Sequence, residues 1–242
     1  MTMSPLPKAT NHKVRIRSVR TGTPNLKSGW DTINTSTTTD SPATPTISSQ
    51  TTTTATITWT PVSGATAGYQ IQYCAHHATT CTTTSGSDYA TNSTTTTQTT
   101  KNLTSLTSGT TYNIRVRTRR TTSDGPVYSN WATTSFITKP ENILQSSLTA
   151  SPQTTSVALD WDDVTGASAY NIHYCTGTCT TSTPESPTTA TNSWRTGATT
   201  TTSSKTITGL TTDTAYQFRV QAVKILASPS DTQVSDLSLI HI

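Results

Sequence analysis

One passage recurs along this chain at a nearly constant spacing, and that spacing constrains the fold more than any other feature. It reads HKVRIRSVRT from His12, YNIRVRTRRT from Tyr112 and YQFRVQAVKI from Tyr216. The starts lie 112 − 12 = 100 and 216 − 112 = 104 residues apart. Other stretches recur in step. ITWTPVSGATAGYQIQYC (Ile57–Cys74) matches LDWDDVTGASAYNIHYC (Leu159–Cys175), and LTSLTSGTTY (Leu103–Tyr112) matches ITGLTTDTAY (Ile207–Tyr216). A period of about 100 residues is too long for one solenoid unit and suits one whole sandwich domain per repeat.

Within each repeat the apolar residues alternate. Ile57 and Trp59 fall on one face, as do Leu159 and Trp161. Tyr69, Ile71 and Tyr73 alternate with polar residues, as do Tyr170, Ile172 and Tyr174. Tyr112, Ile114 and Val116 alternate with Asn113, Arg115 and Arg117. A period of two predicts strands with one buried and one wet face. Pro61, Gly64, Gly109 and Gly166 fall between the runs, where turns are needed. The predicted core is Trp59, Tyr69, Tyr73, Leu106 and Tyr112 in one repeat, and Trp161, Tyr170, Tyr174, Leu210 and Tyr216 in the next.

These marks together resemble the fibronectin type III domain family. They are a Trp on the second strand (Trp59, Trp161), a Tyr-x-hydrophobic-x-Tyr third strand, and a Leu-x-x-Leu-x-x-Gly-x-x-Tyr stretch. The stretch appears as Leu103, Leu106, Gly109 and Tyr112, then as Ile207, Leu210, Asp213 and Tyr216, departing at the glycine. The resemblance implies an all-β chain of tandem immunoglobulin-like sandwiches. It also implies that Tyr112 and Tyr216 are corner tyrosines whose hydroxyls tie loop to strand. It covers two repeats, placed at residues 41–138 and 139–242, and part of a third at residues 1–40 that matches only the last two strands. Both ends read as cut. The closing strand, KSGW in the fragment and YSNW in the first full repeat, becomes VSDL at Leu237. Residues 237–242 read as a translated sequencing adapter in place of a natural strand.

Composition agrees with thin sandwiches. Hydrophobic residues make up only 30% of the chain, while Thr supplies roughly a quarter, far above ordinary usage. Thr is β-branched and suits a half-buried pleated surface. The Thr runs at 51–54, 94–97 and 199–202 read as solvated faces and loops. The charge of +4 is too mild to imply a nucleic-acid partner. No apolar run is long enough to span a membrane. Sequons stand at Asn34, Asn92 and Asn102.

Four cysteines form two local pairs, Cys74 with Cys81 and Cys175 with Cys179, each beginning directly after the last Tyr of the third strand. Equivalent placement suits a disulfide across the following turn and an oxidising compartment. The competing reading is a zinc site of Cys74, His76, His77 and Cys81. The second repeat keeps the cysteines without those histidines, and His173 is expected to face elsewhere, so no metal is assigned.

Arg115, Arg117 and Arg119 alternate along one strand, and Trp131 follows on the next. Arg15, Arg17 and Trp30 repeat the arrangement. This resembles the Arg/Trp stack of cytokine-receptor members of the fold, held by cation–π attraction. The alternative is a basic stripe for acidic glycans or DNA. Tyr89 and Trp194 align with each other in loops, as sugar platforms or as caps on a sandwich edge.

No residues converge as nucleophile, acid and base, and Asp160, Asp162 and Asp163 read as a solvated edge. The expectation is a chain that is not an enzyme and needs no cofactor. It serves as an adhesion, protein-binding or spacer segment of a secreted or surface protein, and the modules are monomeric beads. Partners would be another protein or a cell-surface glycan held by end loops. Rival expectations are an accessory region of a secreted polysaccharide-degrading enzyme and a decoration of a phage tail or virion.

Overall fold

A computed structural model describes residues 6–75, 89, 93–177, 179, 193–225 and 232–241. Every element in the strand order is a β-strand. The chain divides into two compact units. One comprises Met1–Ser48, Thr56–Asn102 and Asn113–Ser135, and the other Ser49–Ala55, Leu103–Tyr112 and Phe136–Ile242.

Near the N-terminus β1 (Asn11–Ile16) pairs antiparallel with β4 (Asp31–Ser36). Between them in sequence, β2 (Val19–Arg20) pairs with β3 (Leu26–Lys27). Two sheets follow. β5 (Thr46–Gln50), β6 (Ala55–Thr58) and β9 (Thr100–Leu103) form a three-stranded sheet. β7 (Tyr69–Ala75), β8 (Ser93–Thr96), β10 (Thr111–Thr122), β11 (Gly125–Tyr128) and β12 (Ala132–Ile137) form a five-stranded sheet of order β11-β10-β7-β8, with β12 also on β10.

The same plan then repeats. β13 (Thr149–Pro152), β14 (Ser156–Asp160) and β17 (Ser204–Thr208) make the three-stranded sheet. β15 (Ala169–Thr176), β16 (Arg195–Thr200), β18 (Tyr216–Lys224) and β19 (Gln233–Val234) make the larger one in the order β16-β15-β18-β19, with β20 (Ser238–His241) on β18. The stretch that the sequence marks as foreign thus supplies β20, with Ile240 opposite Phe218. Short antiparallel strands leave each sheet one apolar face, and stacking two such faces buries both.

The second repeat shows how the core is filled. Leu159 and Trp161, Tyr170 and Ile172, Ile207, and Phe218 and Val220 form one buried cluster. Trp161 meets Tyr170 edge-on, with ring centroids 5.2 Å apart. In the first repeat Trp59 meets Tyr69 in the same geometry at 5.4 Å. Each fully buried side chain of this kind contributes roughly 1.5–3 kcal/mol of transfer energy. Eight of the ten predicted core residues are buried. Tyr73 and Tyr174 are half-buried, and Tyr174 packs on the margin of the core.

Tyrosine hydroxyls fasten loops to strands at two places per repeat. The hydroxyl of Tyr112 accepts from the Thr107 amide at 2.9 Å, and that of Tyr216 from the Thr211 amide at 3.0 Å. A second tie was not read from the sequence. The hydroxyl of Tyr69 accepts from the Val62 amide at 2.8 Å, and that of Tyr170 from the Val164 amide at 3.0 Å. Each satisfies a backbone donor that would otherwise cost about 1–3 kcal/mol if buried unpaired. Asp213, the departure from the Leu-x-x-Leu-x-x-Gly-x-x-Tyr pattern, has a φ of 51°, and Gly109 has 54°. Asp is one of the few side chains that visits the left-handed region readily, so the turn keeps its shape.

One expectation is overturned. The central strands do not have a wet outer face. On β10, Asn113 and Arg115 are buried, and on β7 Gln72 and Cys74 are buried, beside the core-facing Ile114 and Ile71. β15 and β18 repeat this with His173, Cys175, Gln217 and Arg219. A second layer of side chains covers the outer face of both large sheets. The Thr-rich stretches also do more than meet water. Thr51 Oγ1 accepts from the amides of Thr53 and Thr54, and the buried Thr138 hydroxyl donates to the Thr107 carbonyl at 2.6 Å.

Candidate functional site: an arginine–aromatic ladder

The outer layer of the first large sheet is a ladder of alternating cations and rings. The Arg115 guanidinium lies over Tyr89 at 4.0 Å and over Trp131 at 4.5 Å. The Arg117 guanidinium lies over the same Trp131 at 4.2 Å and over Tyr128 at 3.9 Å. The order is therefore Tyr89, Arg115, Trp131, Arg117, Tyr128. Period two on β10 puts both arginines on one face. Trp131 stands between them just before β12, and Tyr128 closes the ladder from β11. Gln72 and Gln70 on β7 hold the guanidinium edges, accepting from Arg115 Nε and Arg117 Nε at 2.8 Å each.

Rings and side-chain amides hold both guanidinium groups here. Burial lowers both guanidinium pKa values from the ordinary arginine range. The nearby Tyr89 opposes this at Arg115 and Tyr128 opposes it at Arg117, while Arg115 adds to the lowering at Arg117. Burial also raises the Tyr89 phenol, partly offset by Arg115. Both arginines remain cations at neutral pH, and the ladder clamps the outer face of its sheet.

The second repeat keeps an equivalent rung. Arg219 lies over Trp194 at 4.5 Å. Trp194 is fully buried in a cluster with Cys175 and Cys179, and Leu239 packs against it. Cys175 and Cys179 form a disulfide with Cα atoms 6.6 Å apart. A loop this short contributes roughly 2 kcal/mol by chain entropy. Cys74 is disulfide-bonded as well and packs on Tyr89. Cys81, its partner from the sequence, lies outside the described residues, as do His76 and His77 of the rival zinc reading. Among the described residues no cluster of three His, Cys, Asp or Glu side chains is placed to hold a metal ion. His173 shares the outer face with Cys175 and sits opposite Arg219, contrary to the orientation expected for it.

Tyr89 and Trp194 are fully buried, so neither is a sugar platform. They serve as rings for Arg115 and Arg219. The sequence had aligned them with each other but not with those arginines. Arg119 stays outside the ladder. At the N-terminus Arg17 lies over Trp30 at 4.3 Å, while Arg15 is exposed with no ring above it. Asp160, Asp162 and Asp163 are exposed.

The family model of the fibronectin type III domain matches residues 40–135. Among solved structures, the chain is similar to a two fibronectin type III domain segment from chicken tenascin, with 15% identity and a TM-score of 0.49, over 84% of this chain and 99% of that one. It is also similar to a computationally redesigned β-sandwich protein, with 26% identity and a TM-score of 0.32, over 41% of this chain and 89% of that one. No curated protein matches the chain. The match identifies residues 40–135 as a fibronectin type III domain, and the strands after it repeat its strand order and its paired tryptophan and tyrosine positions.

Proposed function

We propose that this chain is a non-catalytic segment of a secreted or surface protein, where its sandwiches act as spacers or adhesive modules. The observation that carries this is the disulfide chemistry. Cys175 is bonded to Cys179, and Cys74, at the equivalent place in the first repeat, is disulfide-bonded too. Such bonds persist in oxidising compartments and are rare in the cytosol. Fibronectin type III domains are in general non-catalytic, which supports the same reading. Partners would be a protein or a cell-surface glycan, each contact weak, with avidity arising from repetition.

The test is location. In the organism of origin, the chain is expected in the culture medium or on intact cells, where added protease removes it without lysis. A chain found only in the cytoplasm, protected until the cells are broken, would overturn the proposal.

A further inference from the structure

Arg119 is a cation of β10 that the fold does not employ. Its side chain makes no hydrogen bond, ion pair or ring contact among the described residues, and its Nε is shielded from water. Arg115 and Arg117, on the same face, each donate through Nε to a glutamine and stack on rings. Buried donors are nearly always paired, and one left without an acceptor weakens the fold that holds it.

The repeats show that this position does not ask for arginine. The passage that recurs three times carries Val19, Arg119 and Val223 there. The frame around Arg119 and Val223 is the same. The Ala67 amide donates to the Arg119 carbonyl at 3.1 Å, and the Ser168 amide to the Val223 carbonyl at 2.8 Å. Thr96 lies opposite Tyr69 as Thr200 lies opposite Tyr170. The Gln98 amide donates to Thr96 Oγ1 at 3.0 Å, and the Thr202 amide to Thr200 Oγ1 at 3.2 Å. Val223 is buried in its copy. An apolar side chain suits this frame, so the arginine has another reason to be there.

Its surroundings supply one. Arg119 lines an open recess of about 420 Å³ with Ala67, Thr95, Thr96, Thr97 and Gln98. β7 runs between β10 and β8, and Gly68, just before β7, accepts from the Arg119 amide at 2.8 Å. A Cβ on Gly68 would stand 2.2 Å from the Thr96 carbonyl oxygen, so the end of β8 comes in close only because no side chain is there. Thr95, Thr97 and Gln98 are exposed, and their side chains make no hydrogen bond among the described residues. The wall is one fixed positive charge beside hydroxyl and amide donors, with no carboxylate among its residues. Arg117 stands two residues away on the same face, about 7 Å along the strand, and adds to the positive potential.

We propose that this recess binds a carboxylate, gripped by the guanidinium fork of Arg119 with the Thr97 hydroxyl and the Gln98 amide beside it. The fork presents parallel donors that match the two carboxylate oxygens. One cation in the wall suits a single charge better than a doubly charged phosphate or sulfate. The carboxylate is that of a free organic acid or of an Asp or Glu side chain on a protein partner. The site does not depend on where the chain resides.

The test is an NMR titration of the full chain with sodium glutarate and with a capped Ala-Glu-Ala peptide, against sodium chloride, sulfate and phosphate at matched ionic strength. The Arg119 Nε–H signal and the amides of Thr95–Gln98 are expected to shift together and saturably, with half-saturation in the millimolar range that befits one ion pair. Tighter binding of the peptide assigns the carboxylate to a protein partner, and equal binding of glutarate assigns it to a free acid. Arg119→Val should lose at least about tenfold in affinity, and Lys205→Gln, which removes the same charge elsewhere, less than about twofold. The valine variant should keep or raise the urea midpoint, since it takes the residue of the second repeat; a variant that fails to fold would contradict the reading of this position. The inference fails if neither carboxylate moves the Arg119 signal, if the shifts fall elsewhere on the chain, or if sulfate or phosphate binds more tightly. It fails also if the folded valine variant binds as the native chain does.

Discussion

Replacing Trp161 with Ala is expected to cost the second sandwich about 3–5 kcal/mol, the range for deleting a large aromatic from a packed core. Trp161 is buried, meets Tyr170 edge-on at 5.2 Å, and belongs to the cluster that joins both sheets of its repeat. The neighbours that would have to close the gap are Leu159, Ile172 and Phe218, all on hydrogen-bonded strands that cannot slide inward without breaking register. A domain of this size holds only about 5–15 kcal/mol in total. At 4–8 °C per kcal/mol the midpoint should fall on the order of 20 °C. Trp194 is fully buried in the same repeat and is a natural fluorescence reporter for urea and thermal unfolding. A loss below about 1 kcal/mol would mean that the sheets do not pack around this residue.

The second large effect is expected at Arg115. An Arg115→Ala variant removes a guanidinium held between Tyr89 and Trp131 and strands the buried Gln72 oxygen that it donates to. Two cation–π contacts and a charge-assisted hydrogen bond together suggest a loss of about 3 kcal/mol in urea unfolding. The informative comparison is Arg115→Lys, which keeps the charge but has no plane to stack and no fork to donate through. Lys should recover less than half of the loss. Full recovery by Lys would show that charge alone matters at this position, and the ladder would then be incidental.

The inner core was legible in the sequence because its residues are apolar and strictly alternate: Ile57 with Trp59, Tyr170 with Ile172. The corner tyrosines were legible as well, because they recur at one place in both repeats. The outer layer was not, because its members are polar. Gln72, Asn113, Arg115, His173 and Arg219 read as a wet face under any hydrophobic pattern, and yet all are buried. Over the two arginines lie rings from elsewhere in the sequence, Tyr89 over Arg115 and Trp194 over Arg219. Alternation reports which side of a strand a residue occupies. It does not report what later folds over that side. The Arg/Trp stack was anticipated at Arg115, Arg117 and Trp131 through resemblance to other members of the fold, and Tyr89 and Tyr128, which close its two ends, were not. Trp194 was noticed in the sequence, yet nothing in its spacing joined it to Arg219.

The disulfides tie the structural account to the proposed function, since they pack on the rings of the outer layer and carry the proposal of a secreted or surface location. The most direct measurement is a peptide map of the native-source chain, alkylated under non-reducing conditions before digestion. The account predicts no alkylated thiol and two local cross-links, Cys74 with Cys81 and Cys175 with Cys179. Free thiols at these positions, or a cross-link between Cys74 and Cys175, would contradict it.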